Sequence, residues 1–135
     1  MTRLALDLGT SLVMPFAPIA WPRNRVNRAK AHYHPPAYRK WRAAAAIWLS
    51  ANWPHAPVSS PVLVELVLVA VRPKRGKLPA PRGDIDNYVK SVFDAFNGVV
   101  WEDDAQVVEL RARKEYGPEA MISAFVQALP ESNIT

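Results

Sequence analysis

A run of aliphatic residues between two prolines constrains the fold of this chain more than any other feature. Residues 62–71 read VLVELVLVAV, carry one charged side chain, and are bounded by Pro61 and Pro73. Short runs rich in β-branched residues favour a strand, and proline is excluded from the interior of a sheet. Because nearly every position is apolar, both faces of the strand need cover, which predicts a central place in a sheet.

Two helices are predicted from apolar spacing and helix-breaking residues. The first covers Pro36–Asn52, where alanine and leucine favour helix, and Pro54 ends it. Its expected buried face consists of Trp41, Ala44, Ala45 and Trp48. The second helix follows Asp86, which we expect to be its N-cap, and ends at Asn97-Gly98. Its expected buried stripe consists of Val89, Val92, Phe93 and Phe96.

Three further strands are predicted around these helices. They cover Ser11–Phe16, Val107–Tyr116 and Ala120–Ala128, and the last two meet at Gly117-Pro118 as a β-hairpin. The expected fold is therefore α+β: one small domain over residues 1–135 with a mixed sheet, two main helices and a C-terminal β-hairpin.

Charge is segregated along the chain. Thirteen Lys/Arg and two acids precede Asp84, a net of +11, whereas four Lys/Arg and ten acids follow from that residue onward, a net of −6. Together these give the overall +5, with a pI near 9.8, which points to nucleic acid or another anionic surface. A basic surface that merely keeps the protein in solution is the alternative. With no cysteine in the chain, disulfides, thiolate metal sites and cysteine nucleophiles are excluded.

The sequence gives no indication of a membrane protein. No apolar run approaches the roughly 18 residues that a spanning helix requires. Asp7, Pro15 and Pro18 interrupt the N-terminal apolar stretch, so we expect a strand there, no signal peptide, and a cytoplasmic protein.

Two groups of carboxylates flank the second predicted helix. Asp84 and Asp86 enter it, and Asp86, Lys90 and Asp94 follow at helical spacing along one polar face. After the turn at Gly98 come further acids, within the segment Trp101-Glu102-Asp103-Asp104. A chain reversal there would bring the second group back towards the first. Clustered carboxylates repel one another and must be neutralised by protonation, a cation or a basic neighbour. If a metal ion is that cation, an all-oxygen ligand set suits Mg²⁺, with Mn²⁺ as a substitute.

The same residues also fit an ordinary structural role. Aspartate caps helices and favours their first turn, and Lys90 with Asp86 or Asp94 would then form a surface ion pair. Spacing alone leaves these two alternatives open.

A family resemblance favours the metal site over the structural role. The segment resembles the signature of RusA-type Holliday junction resolvases, a family of crossover junction endodeoxyribonucleases. The matching residues are Asp84, Asp86, Asn87, Lys90, Phe93-Asp94-Ala95 and Trp101 through Val107. Weaker similarity extends over most of the chain, and is poorest in the Pro/Asn-rich N-terminal loop around Arg25-Val26-Asn27.

The resemblance implies roles for individual residues. Asp84, Asp86 and Asp104 would be the metal-binding acids, and Lys90 the catalytic lysine. Asp103 is a second choice for the place of Asp104. Asp94 would support Lys90 as its partner, and Asn87 completes the motif.

Basic side chains outside the motif are expected to bind DNA. One block in the N-terminal half includes Arg25, Arg28 and Lys30. The other is the segment 72–82, called here the basic loop, which leads directly into the acidic residues and carries Arg72, Lys74, Arg75, Lys77 and Arg82. We expect this loop to be exposed and mobile, although a solvated loop without a partner is the alternative.

Together these features predict a Mg²⁺-dependent DNA endonuclease that resolves four-way junctions by paired nicking. The partners would be branched DNA and a second copy of the chain, because a symmetric homodimer matches the two-fold symmetry of the junction. Similar proteins are often carried by phages and prophages. The alternatives are a DNA-branch binding protein with weak catalysis and a basic RNA-associated protein.

Overall fold

The computed structural model describes residues 8–22, 25–26, 32–33 and 35–130, of which 25–26 and 32–33 are described by their backbone alone. The elements in chain order are β1 (Thr10–Met14), β2 (Arg25–Val26), β3 (His32–Tyr33), α1 (Pro36–Asn52), β4 (Val62–Ala70), α2 (Ile85–Phe96), a 3-10 turn (Asp104–Gln106), β5 (Val107–Tyr116) and β6 (Met121–Ala128). None of the helices in these ranges has the length and apolar character needed to cross a membrane.

The main sheet has four strands in the order β1-β6-β4-β5. β4 pairs in parallel with β5 and antiparallel with β6, and β6 pairs antiparallel with β1. β2 and β3 form a separate two-stranded ribbon. The aliphatic run therefore lies between two neighbours, as its composition predicts, and the α+β class with a mixed sheet and two helices is confirmed.

One side of β4 forms the centre of the core. Val62, Val64, Leu66 and Leu68 alternate along the strand and are at most 1% exposed. They belong to one cluster with the buried faces of α1 and α2. Side chains at every second position of a strand share a face, so this pattern places the core between the sheet and the helices.

The predicted C-terminal hairpin is wrong. β5 and β6 follow each other in the chain, but β4 lies between them in the sheet. The connection crosses the end of β4, where the Gly117 N–H donates to the Ala70 carbonyl at 3.0 Å. A Cβ on Gly117 would lie 2.6 Å from Val69 Cγ1, so a larger residue would require the Val69 side chain to shift. The apolar β4 requires a partner on each side, and that need overrides the local preference for a hairpin.

The helix α1 has the predicted bounds but a slightly different buried face. Pro36 occupies its first turn, where a missing N–H costs nothing. Tyr38, Ala45 and Leu49 are its buried residues, whereas Ala44 is exposed.

The helix α2 begins earlier than the sequence predicted. Its N-cap is Asp84, with extended backbone angles, and Asp86 lies inside the first turn. The N–H groups of Asn87 and Tyr88 donate to the Asp84 carbonyl. Both aspartates suit the cap position, and this turn places the helix start at the earlier one. The buried stripe is as predicted, with Val89, Val92 and Phe96 buried and Phe93 partly so.

Candidate active site

A cleft of about 380 Å³ lies between α2 and the beginning of β5, and is called here the α2–β5 cleft. Asp86 and Lys90 reach it from successive turns of α2, and Asp104 reaches it from the 3-10 turn before β5. The remaining lining residues are Val89, Phe93, Val107, Val108, Glu109 and Leu110. The structure thus brings together three of the four residues to which the sequence assigned metal binding or catalysis.

The chain reversal predicted after α2 is present and is anchored by Trp101. The Gly98 N–H donates to the Trp101 carbonyl at 2.7 Å, which closes the turn. The Trp101 side chain is fully buried, and its ring centroid lies 5.2 Å from those of Phe93 and Phe96. This packing holds the segment that carries Asp104 against the same helix that carries Asp86.

Asn97 links the buried tryptophan to the cleft. The Trp101 Nε1–H donates to Asn97 Oδ1 at 2.6 Å, so the amide NH₂ group of Asn97 points away from Trp101. Its Nδ2–H donates to Asp104 Oδ2 at 3.3 Å. A fully buried indole thereby orients an amide, and the amide orients a carboxylate of the cleft. From the sequence, Asn97 was predicted only as a helix stop, because no local pattern indicates this contact.

The neighbouring Asp103 has a different task. Its Oδ2 accepts from the Ala105 N–H at 2.9 Å, which caps the 3-10 turn. Gln106 completes a capping box, because its side-chain oxygen accepts from the Asp103 N–H at 2.9 Å. The side-chain amide Nε2–H of Gln106 also donates to the Val58 carbonyl at 2.8 Å. The spacing of Asp103 and Gln106 is a recognisable capping signal that sequence analysis overlooked.

Lys90 contacts an aromatic ring rather than a carboxylate. Its Nζ lies 4.7 Å from the ring centroid of Trp21, a cation–π distance. No ion pair joins Lys90 and Asp94 within the described ranges. Asp94 instead accepts two hydrogen bonds of 2.7 Å, from Trp21 Nε1–H and from the Tyr38 hydroxyl. The predicted direct pairing is therefore replaced by an indirect one, in which the indole of Trp21 lies between the two charged groups.

The Tyr38 hydroxyl is a dependable donor in this arrangement. Burial raises the pKa of Tyr38 far above its usual value, and the hydrogen bond to Asp94 raises that pKa further. The phenol therefore stays protonated at neutral and mildly alkaline pH.

Comparison with known proteins identifies the family. The family model described as Endodeoxyribonuclease RusA matches residues 15–126, a range that includes the whole α2–β5 cleft. The chain belongs to the RusA family. A protein of Bacillus subtilis (strain 168), named Uncharacterized protein YqaN, is similar as well. It is 30% identical over 121 residues, covering 78% of this chain and 85% of that relative. The resemblance found in the sequence is confirmed, and with it endodeoxyribonuclease activity at the level of the RusA family.

The third acid of the RusA-like motif, Asp84, lies at the start of α2 and is not among the residues that line the cleft. The turn before it is tightly held. The Lys114 ammonium donates to the Pro81 carbonyl at 2.8 Å and also to the Gly83 carbonyl. Gly83 has φ +104°, and a Cβ there would lie 3.0 Å from the Tyr88 ring. Both features restrict the backbone conformation of the turn that leads into Asp84.

The cationic side chains of the basic loop fall into two groups: Arg72 is held by contacts within the chain, and the others extend into solvent. Arg72 donates to the Leu78 carbonyl at 2.9 Å and lies 4.2 Å over the Tyr116 ring. The Tyr116 hydroxyl donates to the Ala80 carbonyl at 3.0 Å. Arg72 therefore links the two ends of the loop through contacts within the chain, and its role in DNA binding stays a prediction.

The other cations of the basic loop extend into solvent. Their side chains are exposed, and among the described residues they make neither hydrogen bonds nor ion pairs within the chain; they are Lys74, Arg75, Lys77 and Arg82. From the first predicted block, Arg28 and Lys30 lie outside the described residues, as does the side chain of Arg25.

The oxygen donors of the cleft fit a hard divalent cation. Within the described part of the chain, no three Asp, Glu or His side chains converge into a complete metal cage. Mg²⁺ does not need one, because it usually takes one or two carboxylates and fills its remaining positions with water and phosphate oxygens. Asp86 and Asp104 supply two carboxylates to one cleft, and Asn97 restrains the second of them.

Proposed function

We propose that this protein is a Mg²⁺-dependent endonuclease that resolves four-way DNA junctions by paired nicking. The observation that carries the proposal is the shared position of Asp86, Lys90 and Asp104 in one cleft. Membership of the RusA family supports the reaction class. Resolution of junctions would place the protein in DNA recombination and repair.

The metal would be held by Asp86 and Asp104, which line the cleft. Asp84 lies outside that lining, at the start of the helix, and would join them as a third ligand only when the metal is bound. Asp104 is favoured over Asp103, because the carboxylate of Asp103 is engaged in the cap of the 3-10 turn. When bound, Mg²⁺ would activate water and stabilise the negative charge that develops on the phosphate.

The protein's own residues would position the DNA backbone beside the metal. Lys90 would donate hydrogen bonds to oxygens of the scissile phosphate, where a fixed positive charge counts most in a site from which water is partly excluded. Its place one helical turn after Asp86 puts both groups on the same side of α2. The apolar wall formed by Val89, Phe93 and Val107 would exclude water from one side of the reacting group.

The exposed cations of the basic loop would guide the DNA strand into the cleft. The loop lies between β4 and α2 and ends two residues before Asp84, so its charges adjoin the acidic residues. Phosphate contacts of this kind fix the position of a nucleic acid without reading its sequence. Arg25, Arg28 and Lys30 are proposed as a second set of phosphate contacts.

A homodimer is the expected functional unit. A four-way junction has two-fold symmetry, and two opposed cuts need two active sites related by the same axis. We further propose that residues 1–135 act as a single endonuclease domain, and that the protein works in the cytoplasm. Sedimentation of the free protein and of its junction complex measures the number of copies.

The proposed reaction is tested with a synthetic mobile four-way junction and a linear duplex of the same sequence. Nicking of the junction in opposed strands, in Mg²⁺ but not in EDTA, is the expected result. A branch-binding protein without useful catalysis would shift the junction on a gel but leave it intact. A basic RNA-associated protein would neither prefer the junction to the duplex nor require a divalent cation.

A further inference from the structure

Trp21 makes three contacts with one side of the helix α2. Its backbone N–H donates to the Asn87 carbonyl at 2.8 Å. Its ring lies 4.7 Å from Lys90 Nζ, and its Nε1–H donates to Asp94 Oδ2 at 2.7 Å. The three partners follow at helical spacing, so the tryptophan lies along the helix beside the residue proposed to contact phosphate.

The plane of the indole ring is fixed from two directions. One edge is tied to Asp94, which is itself held by the buried Tyr38 of α1 through a hydrogen bond of 2.7 Å. The backbone hydrogen bond to Asn87 fixes the other end of the residue. A ring restrained in this way offers a face at a defined position, and Lys90 Nζ lies over the ring.

A lysine side chain needs such a restraint if it is to act at a fixed point. Its ammonium is a point charge on a flexible four-carbon stem, and an exposed lysine samples many rotamers. Lys90 is exposed, and within the described ranges no carboxylate pairs with it. The face of Trp21 attracts the ammonium through the negative charge of its π system while leaving the N–H groups available to another acceptor.

We propose that Trp21 is a positioning residue for Lys90, restraining its ammonium at the side of the α2–β5 cleft in readiness for the scissile phosphate. This inference rests on the proposed function, because it assigns Lys90 to the phosphate. Trp21 itself need not touch DNA. Its contribution is to reduce the freedom of a catalytic side chain, and sequence analysis did not identify it because it lies 73 residues from Asp94.

The first test compares variants at Trp21 by single-turnover nicking of the junction in Mg²⁺. Trp21→Leu removes the aromatic face, and we expect nicking to slow about tenfold while the junction Kd changes less than about twofold. Trp21→Phe retains a face but not the Nε1–H, and should stay within about threefold of the wild-type rate. A matched control is Trp41→Phe, which removes the hydrogen bond of 2.8 Å to the Ala17 carbonyl from the same N-terminal segment. It should nick at the wild-type rate.

A double-mutant cycle separates positioning from general packing. If Trp21 acts through Lys90, Trp21→Leu should change the residual rate of a Lys90→Ala protein by less than about twofold, because the side chain it positions is gone. An equal loss of rate in both backgrounds would mean that Trp21 merely packs the N-terminal segment, and would overturn the inference.

A measurement without catalysis keeps the inference testable if Lys90→Ala leaves no rate to measure. The chain has six lysines, so the ε-CH₂ resonances of ¹³C-labelled lysine form a simple NMR spectrum. Lys90 should show an upfield ring-current shift that Trp21→Leu abolishes and Trp21→Phe retains. A Lys90 resonance at the ordinary lysine position in the wild-type protein would refute the contact, and rate loss in Trp21→Leu with the shift unchanged would refute the mechanism.

Failure of the proposed function gives a different pattern. A wild-type protein that leaves the junction intact in Mg²⁺ contradicts the endonuclease proposal, whatever the lysine spectrum shows. A junction that is nicked normally, but at the same rate in Trp21→Leu, contradicts the role of Trp21 alone.

Discussion

Two adjacent carboxylates should separate stability from catalysis when each is changed in turn. Asp103 accepts a hydrogen bond of 2.9 Å from the Ala105 N–H, whereas Asp104 lines the α2–β5 cleft. Loss of an N-cap acceptor costs about 0.5–2 kcal/mol, so Asp103→Ala should lower Tm by about 2–8 °C in a domain of this size. Nicking below the unfolding transition should remain close to the wild-type rate.

Asp104→Asn should have the opposite effect. The substitution preserves shape and leaves an oxygen that can accept from Asn97, so Tm should change by less than about 2 °C. Loss of a metal-binding carboxylate should lower nicking at least about a hundredfold, since even partners outside the first coordination shell are worth about 10–100-fold. Junction binding measured in EDTA should persist or strengthen, because one negative charge near the phosphate has been removed.

The assays are scanning calorimetry and single-turnover nicking of the same four-way junction. Asp103→Asn is the matched control, because asparagine caps a turn about as well as aspartate and should keep both the stability and the nicking rate near wild type. Wild-type nicking by a folded Asp104→Asn protein would refute its assignment to the metal. Complete loss of nicking in a folded Asp103→Ala protein would show that the roles of the two acids are reversed.

Three further predictions concern the groups that surround the site. Asn97→Ala leaves the buried Nε1–H of Trp101 without its acceptor, so the free energy of unfolding in urea should fall by about 1–3 kcal/mol and the folded protein should nick more slowly. Unchanged stability would contradict the role of Asn97 as the acceptor for Trp101. Lys114→Met removes the donor that holds the turn before Asp84 and should lower the single-turnover nicking rate about tenfold, as does loss of a contact outside the first coordination shell of a metal. An unaltered rate would show that the turn does not depend on the lysine. Replacing the three cations of residues 74–77 by serine should reduce the slope of log Kd against log salt by about 2–3, and an unchanged slope would exclude them from the DNA interface.

Local signals were enough to predict most elements of the fold. The bounds of Pro36–Asn52 and Val107–Tyr116 agree with the structure, because prolines, glycines and changes of apolar period mark them directly. Strand order was not predictable in the same way. Gly117-Pro118 favours a turn whether or not the flanking strands are neighbours, and the insertion of β4 between them is a property of the whole sheet.

The candidate site shows the same difference between local features, which were predicted, and long-range contacts, which were not. The helical spacing of Asp86 and Lys90 and the turn before Asp104 predicted residues that do line one cleft. The supporting contacts were not predicted, because they join residues that are distant in sequence, such as Trp21 and Asp94. The distinction between Asp103 and its neighbour was available in the sequence, in the capping pattern with Gln106, but only hydrogen-bond geometry assigned it.

The position of the cleft follows from the topology of the sheet. Parallel neighbours such as β4 and β5 require a crossover connection, and here that crossover contains the basic loop, α2 and the 3-10 turn. The acids and Lys90 therefore all belong to one connection whose two ends are fixed by the pairing of two strands. Lys114, from β5, restrains the turn before the helix, and Asn97, within the connection, restrains the carboxylate of Asp104. Trp21 contacts this connection from outside at Lys90, so a substitution there should disturb Lys90 while leaving the placement of Asp86 and Asp104 unchanged.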